Sequence, residues 1–293
     1  MDAHAPTLAT LARDFEQLVL DAPARTTDVR GGLNAEGGDP LLHGDPRLLA
    51  RHLGHYLAAA ELAQAVGYSS VSQPSQPSQP IMLDVGCGTG LFSGWLRARL
   101  GGQLHLADHD QAVLDAARAA TGAAAGTTAV ADAAPAQLVT AMEVLEHLPP
   151  SEQPAFCAAL LAARAPGGTL ILSTPDESLY PGGWSGYAPH VGCVTAATLR
   201  GLLEAAGARE ISIWRIVGGP YDTSARRRMA EACGNRAWRI TQRVAPSFAA
   251  TLERRAGDRR GAAPTLDTRV FGDVRVMPAT EGAGGSLLAV VQG

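Results

Sequence analysis

The chain has 293 residues, 46% hydrophobic and 18% charged, with a formal net charge of −4: enough to bury the core of one large α/β domain with appendages, and too apolar for a disordered chain. No apolar run reaches the roughly 18 residues that span a bilayer, and the opening MDAHAPTLATLARDFEQ has no basic stretch leading into an apolar one, so neither a membrane span nor a secretory signal is expected. All 24 basic residues are arginine, which excludes Schiff-base lysine chemistry and the phosphate-gripping lysine of a P-loop.

In chain order, Leu8, Leu11, Phe15, Leu18 and Val19 recur at spacings of three and four, the period of one buried helix face. A Gly-, Asp- and Pro-rich stretch follows from Thr26 to Pro46, then a second helical run to about Val66. The repeat SQPSQPSQP, Ser72 to Pro80, forbids helix and favours an extended linker. Residues 1–71 are therefore expected to form an N-terminal helical cap, 72–80 a linker, and 81–293 the main domain. There, seven strands are expected: IMLDV (81–85), QLHLA (103–107), TTAVA (127–131), LVTAM (138–142), TLILS (169–173), EISIWRIV (210–217) and SLLAVVQG (286–293). Helices are expected at 91–100, 110–120, 151–165 and 195–207, the last with a threonine cap and a glycine stop. This alternation predicts a Rossmann-like α/β fold: a seven-stranded, mainly parallel sheet with helices on both faces. Residues 218–282 read as a late helical insertion, too long for an ordinary connection. The four cysteines, Cys87, Cys157, Cys193 and Cys233, lie far apart without a CxxC, as in a cytoplasmic protein with reduced thiols.

The strongest local signal is LDVGCGTG, residues 83–90, between the first strand and its helix. Glycines there permit the tight turn and let a ligand lie against the backbone. Asp108 ends the next strand, where a carboxylate can hydrogen-bond a ribose diol, and Asp132 ends the third, within reach of an adenine amino group. The sixth position of a dinucleotide GxGxxG fingerprint is Leu91, so the loop is GxGxG.

These segments, together with MEVLEHLP (142–149) and APGGTLILSTP, resemble the class I S-adenosylmethionine-dependent methyltransferases over roughly Ile81 to Gly207 plus the last strand. The resemblance implies S-adenosyl-L-methionine as methyl donor. It implies that Asp84, Gly86, Gly88 and Gly90, with Cys87 between them, line its methionine and sugar side. Asp108, with His109 beside it, would hold the ribose, and Asp132 with Ala133 the adenine edge. Only Ala133 to Gln137 separate the third acid from the fourth strand, shorter than is usual in relatives.

Methyl transfer from a sulfonium needs alignment more than covalent help, with a base or metal only where the acceptor arrives protonated. Glu143-x-x-Glu146-His147 follows the fourth strand, and a helix there would put the three side chains on one face. With His190 they form an oxygen and nitrogen set suited to Mg²⁺, Mn²⁺ or Zn²⁺. Alternatively His147 serves, without metal, as a base or as part of the acceptor pocket. The set resembles that of the ubiquinone-pathway O-methyltransferases and of the small-RNA 3′-end 2′-O-methyltransferases. Tyr180, Trp184 and Tyr187 could grip a flat acceptor or fill core. In 222–260, ten arginines accompany an apolar stripe of Met229, Cys233, Ala237, Ile240 and Val244: a surface helical pair with solvated arginines, or an anion-binding lid. The expected activity is O-methylation of a small-molecule hydroxyl, with His147, Glu143 and His190 as catalytic residues. The alternatives are N-methylation, RNA 3′-end methylation, or a non-catalytic cofactor-binding regulator. An acidic chain with 5% aromatics argues against a nucleic-acid partner.

Overall fold

The computed structural model describes residues 8–20, 46–68, 79–222, 224–251, 268–280 and 284–293. The Thr26–Pro46 stretch up to residue 45, most of the Ser-Gln-Pro linker, and the side chains of Leu18 and Val19 lie outside the described residues.

Two helices open the chain, α1 (Leu8–Leu20) and α2 (Pro46–Ala65). The alternating region runs β1 (Ile81–Val85), α3 (Leu91–Leu100), β2 (Gln103–Ala107), α4 (Gln111–Thr121), β3 (Ala125–Thr127), β4 (Ala136–Met142), α5 (Gln153–Ala162), β5 (Arg164–Pro175), α6 (Ala196–Ala205) and β6 (Glu210–Val217). Then come α7 (Ala225–Val244), β7 (Arg275–Pro278) and β8 (Ser286–Gln292). The strands order as β3-β2-β1-β4-β5-β8-β6-β7. From β3 to β5 every pairing is parallel, and β8 lies antiparallel to both β5 and β6. The apolar strands β1, β4 and β8 are buried on both faces, as helix layers on each side require. One core cluster joins α1, α2, α3 and α4 to the sheet, and the other joins α5 and α6 to its opposite face. Strand order reverses between β1 and β4, so their carboxyl ends open the crevice where ligands bind in such sheets.

Three expectations are corrected. The sheet has eight strands, because Arg275–Pro278 forms a hairpin partner for β6, with Trp214 opposite Pro278. Four residues ending in proline, on a sheet edge, leave almost no periodic signal. The third strand covers 125–127, not 127–131. Thr127 Oγ donates to the Ala129 carbonyl and accepts from its N–H, a local turn that stops the strand and starts a 3₁₀ turn at Val130–Asp132. Asp132 therefore does not end a strand. Finally, the apolar stripe of α7 is not a packing face: Met229 is 53%, Ile240 60% and Val244 75% exposed.

The N-terminal helices are welded to the glycine-loop side. Tyr56 of α2 stacks on Phe92 of α3 at 5.1 Å, and Phe92 stacks on Phe15 of α1 at 5.5 Å. Leu49, Leu53 and Leu57 carry the same α2 face into the core. Arg47 Nε donates to the Pro220 carbonyl at 3.1 Å and Tyr221 Oη donates to the Arg51 carbonyl at 2.6 Å, fastening α2 to the turn after β6.

Candidate active site

On the cofactor side, the chain leaving β1 is folded back on β2: Gly86 N–H donates to the Ala107 carbonyl at 2.8 Å. Gly86, Gly88 and Gly90 take φ of 70°, 51° and 75°, a left-handed region costly to other residues. A Cβ on Gly86 would strike Val144 at 2.4 Å, whereas one on Gly88 would meet nothing within 4 Å. Gly88 therefore borders open space that a ligand can fill. Its N–H donates to Asp108 Oδ2 at 3.1 Å, while Asp110 N–H donates to Oδ1 at 3.1 Å. A carboxylate has about four lone-pair sites, so Asp108 can hold the loop and still accept from a diol. Asp110 caps α4 through the Ala112 and Val113 N–H groups.

Asp84 is placed differently from its neighbours. It is fully buried and accepts from Tyr56 Oη at 3.0 Å, Thr140 Oγ at 2.6 Å and Ser93 Oγ. Burial still lifts its carboxyl to about 6. Its oxygens are committed to the protein, which makes it an anchor beneath the loop. Cys87 is buried and its thiol is pushed well up by desolvation, so it stays protonated. His109 is open to solvent, 3.4 Å from Asp108. Asp132 is exposed and Ala133 half-buried, on the 3₁₀ turn.

On the acceptor side, the helix expected across Glu143–His147 does not form. Glu143 has φ 57°, the one left-handed non-glycine among the described residues, and only Leu145–His147 makes a single 3₁₀ turn. Pro149 disfavours helix at Leu148, and Glu143 N–H is drawn to the Ser173 carbonyl and Oγ at 3.2 and 3.1 Å. Glu143 thus leaves the other two. Its Oε1 accepts from Ser173 Oγ at 3.1 Å and lies 3.4 Å from Nε2 of His55. Burial raises its carboxyl to about 7. His55 is 1% exposed, neither ring nitrogen has a hydrogen-bond partner among the described residues, and burial drives its pKa well down, which favours the neutral ring.

Glu146 and His147 are instead brought to His190. Glu146 carbonyl oxygen accepts from the Val191 and Gly192 N–H groups, both at 2.9 Å, which clips the later loop onto the turn. A Cβ on Gly192 would lie 2.1 Å from the Leu148 carbonyl, so only glycine allows that approach. The His147 and His190 rings meet edge-on at 5.1 Å. His147 Nδ1 lies 3.2 Å from the Pro189 carbonyl, which assigns its proton to Nδ1 and the lone pair to Nε2. Glu146 is fully buried. Its Oε2 accepts from Thr174 Oγ at 3.1 Å, but Oε1 has no hydrogen-bond partner among the described residues and stands 3.8 Å from His147 Nε2. Burial and the nearby Glu143 push its carboxyl well up.

Of the site residues that sequence reasoning does not single out, Glu177, His55 and Tyr56, the most consequential is Glu177. Its Oε1 is 2.7 Å from His190 Nδ1, while Ser185 N–H and Oγ donate at 2.8 and 2.7 Å and Cys193 Sγ at 3.1 Å. Burial alone would raise its carboxyl, but the His190 and Ser185 donors pull it down to about 2. A carboxylate in PDES just past β5, 13 residues before His190, was a usable signal. His55 and Tyr56 gave none, since they read as ordinary helix. Tyr187 packs on His190 at 4.9 Å, Trp184 Nε1 donates to the His190 carbonyl at 2.8 Å, and Tyr180 Oη donates to Glu231 at 2.8 Å.

Among the described residues two overlapping groups have ligand atoms within 4.8 Å of one another: Glu146, His147 and His190, and Glu177, His190 and Cys193. Glu143 belongs to neither. The unpartnered Glu146 Oε1 beside His147 Nε2 suits a cation; His190, however, is already engaged by Glu177.

No curated protein matches the chain. Among solved structures it is similar to a SAM-dependent methyltransferase from Archaeoglobus fulgidus, at 12% identity and TM-score 0.48, covering 82% of this chain and 94% of that one. Similarity extends to magnesium protoporphyrin IX methyltransferase from Synechocystis PCC 6803, at 21% identity, TM-score 0.44, 77% of this chain and 95% of that one. A third similar structure is phosphoethanolamine N-methyltransferase 2 from Haemonchus contortus, at 13% identity, TM-score 0.45, 79% of this chain and 52% of that one. A methyltransferase-domain family profile matches residues 49–213, more than half of the chain, from within α2 to within β6. The chain belongs to this family and is an S-adenosylmethionine-dependent methyltransferase.

Proposed function

We propose that the enzyme methylates the oxygen of a small-molecule hydroxyl, with His190 as the base. The observation that carries this reading is the 2.7 Å contact of Glu177 with His190 Nδ1. A buried carboxylate on Nδ1 fixes the ring and its tautomer, leaves Nε2 to take a proton, and stabilises the imidazolium that results. A neutral amine acceptor needs no such base, which favours oxygen over nitrogen. S-adenosylmethionine supplies an electrophilic methyl group. The chain's task is to align the acceptor, exclude water and hold the proton on His190 Nε2 as the oxygen attacks. Gly86, Gly88, Gly90 and Asp108 are the residues we assign to the donor, with His109, Asp132 and Ala133 at its outer edge. Asp84 and Cys87 support the loop from below. MEVLEHLP and the His190-Val191 pair support placing the chain near the ubiquinone-pathway O-methyltransferases. We take residues 1–71 as a cap joined through 72–80 to the catalytic domain, and 218–282 as an insertion, the two together covering the acceptor.

A second reading rests on Glu146 Oε1. Mg²⁺, Mn²⁺ or Zn²⁺ held by Glu146, His147 and His190 would relieve this orphaned oxygen and lower the pKa of a bound hydroxyl. Screening hydroxylated and amine acceptors with labelled methyl donor, with and without EDTA, tests both. Turnover of hydroxyls in EDTA that is lost in Glu177→Gln and His190→Ala supports the dyad. Turnover abolished by EDTA and restored by Mg²⁺ or Mn²⁺ supports the metal. Turnover of amines alone would overturn both.

A further inference from the structure

The arginine-rich helix has two faces with opposite fates. Its inner face is fastened to the loop that carries His190. Ala232 is fully buried, Asn235 Nδ2 donates to the Ser185 carbonyl at 3.1 Å, Glu231 accepts from Tyr180, and Arg239 lies over the Trp184 ring at 4.8 Å. Met229, Cys233, Ala237, Ile240 and Val244 follow at spacings of four, four, three and four, which puts them on one side of α7, away from these contacts. Here the side chains stand in water. Met229, Ile240 and Val244 are each more than half exposed, and Phe248, four residues past the helix end, is 57% exposed. No other helix among the described residues shows several large apolar side chains so exposed.

Charge says what such a face fits. α7 carries six arginines and one carboxylate, Glu231, itself paired with Arg227 at 2.8 Å, in a chain whose formal net charge is −4. Arg226 and Arg243 are exposed at either end of the stripe. An aliphatic strip bordered by arginines matches an anionic lipid surface, where apolar side chains enter the acyl boundary and guanidinium groups remain among the phosphates. An acidic protein would satisfy the arginines and leave the aliphatic strip without a comparable apolar layer.

We infer that α7 is an interfacial helix that docks the enzyme on anionic phospholipid, through the strip Met229–Ile240–Val244 with Phe248, flanked by Arg226 and Arg243. The contacts of its inner face with 180–185 place the docked surface next to the His190 loop. The inference does not depend on the identity of the acceptor or on the base.

Co-sedimentation of the full-length protein with sucrose-loaded vesicles tests it, comparing phosphatidylcholine alone with an equimolar mixture of phosphatidylcholine and phosphatidylglycerol. Expected is binding to the mixed vesicles and at most weak binding to the neutral ones. The double variant R226E/R243E should bind at least about tenfold less, since one arginine near an anionic surface is worth about fivefold. I240D/V244D, at positions already in water and with circular dichroism to verify folding, should also lose about tenfold. Absence of binding to the mixed vesicles overturns the inference. So does equal binding to both vesicle types, or binding that survives I240D/V244D. Retention on immobilised polyglutamate without vesicle binding would point to an acidic protein partner and equally overturn it.

Discussion

The two sides of the crevice are built in different ways. The donor side is largely contiguous: β1, the glycine loop and β2 lie within Ile81–Asp110, and its polar groups are satisfied, Gly88 N–H by Asp108 and Asp84 by Ser93 together with the more distant Tyr56 and Thr140. The side we assign to the acceptor is gathered from His55, Glu143, Glu146, His147, Glu177 and His190, and it keeps strain and unmet hydrogen bonds. Glu143 sits at φ 57°, and His55 and Glu146 have buried atoms without hydrogen-bond partners among the described residues. Such costs persist where function demands them, because ordinary core selects for satisfied groups. A common cofactor can be held by a finished local motif, whereas an acceptor pocket waits for its ligand to complete it.

Variants can break this contrast, and the largest effect should come from the acceptor side. His190→Ala or Glu177→Gln should cut turnover about 10²–10⁴-fold, the usual contribution of a positioned base, and leave donor affinity within about twofold. Loss of donor binding in calorimetry would show that the two sides are not separable. On the donor side, Gly86→Ala should be next, adding about 1–2 kcal/mol of left-handed strain to an overpacking cost of about 1–3 kcal/mol against Val144. It should lower the melting temperature. Gly88→Ala carries the strain without the clash, so it should fold more nearly as wild type while binding the donor poorly.

Asp108→Ala should weaken donor binding by about 1–3 kcal/mol, the range for an unmet buried hydrogen bond. Unchanged affinity would remove Asp108 from the ribose and turn attention to Asp110. Tyr56→Phe should cost about 0.5–1.5 kcal/mol through Asp84, which loses one of three donors. If that loss shows in donor affinity as well as stability, the N-terminal cap belongs to the cofactor site.

Acid should separate the two sides most finely. Glu177 is held at about 2 against an ordinary 4.5, so its stabilisation is complete above pH 4.5 and is lost as pH falls toward 2. Asp84 is raised to about 6 from 3.8, so its contribution is complete below 3.8 and is lost as pH rises through 6. Carboxyl ¹³C titration should therefore find Asp84 ionising near 6 and Glu177 remaining charged to the lowest pH at which the fold survives.

The alternating fold and the glycine loop are legible in the residue order alone. Alternation and apolar periodicity are local properties, and a glycine needed at positive φ is needed wherever the rest of the chain lies. LDVGCGTG with Asp108 was therefore legible in a 26-residue stretch, Leu83 to Asp108. The edge strand β7 was not, being four residues whose pairing is decided by β6. Glu143–His147 does not take the helix that its spacing of three and four permits, because contacts with Ser173, distant in sequence, decide the backbone at Glu143. Which groups meet on the acceptor side was settled only by the tertiary structure. Glu177 and His190 come from the loop after β5 and His55 from α2, and their mutual distances depend on how α2 and that loop pack over the sheet edge. The α7 stripe shows the same limit: its period was visible in the sequence, but which face of the helix the protein covers is a fact of packing.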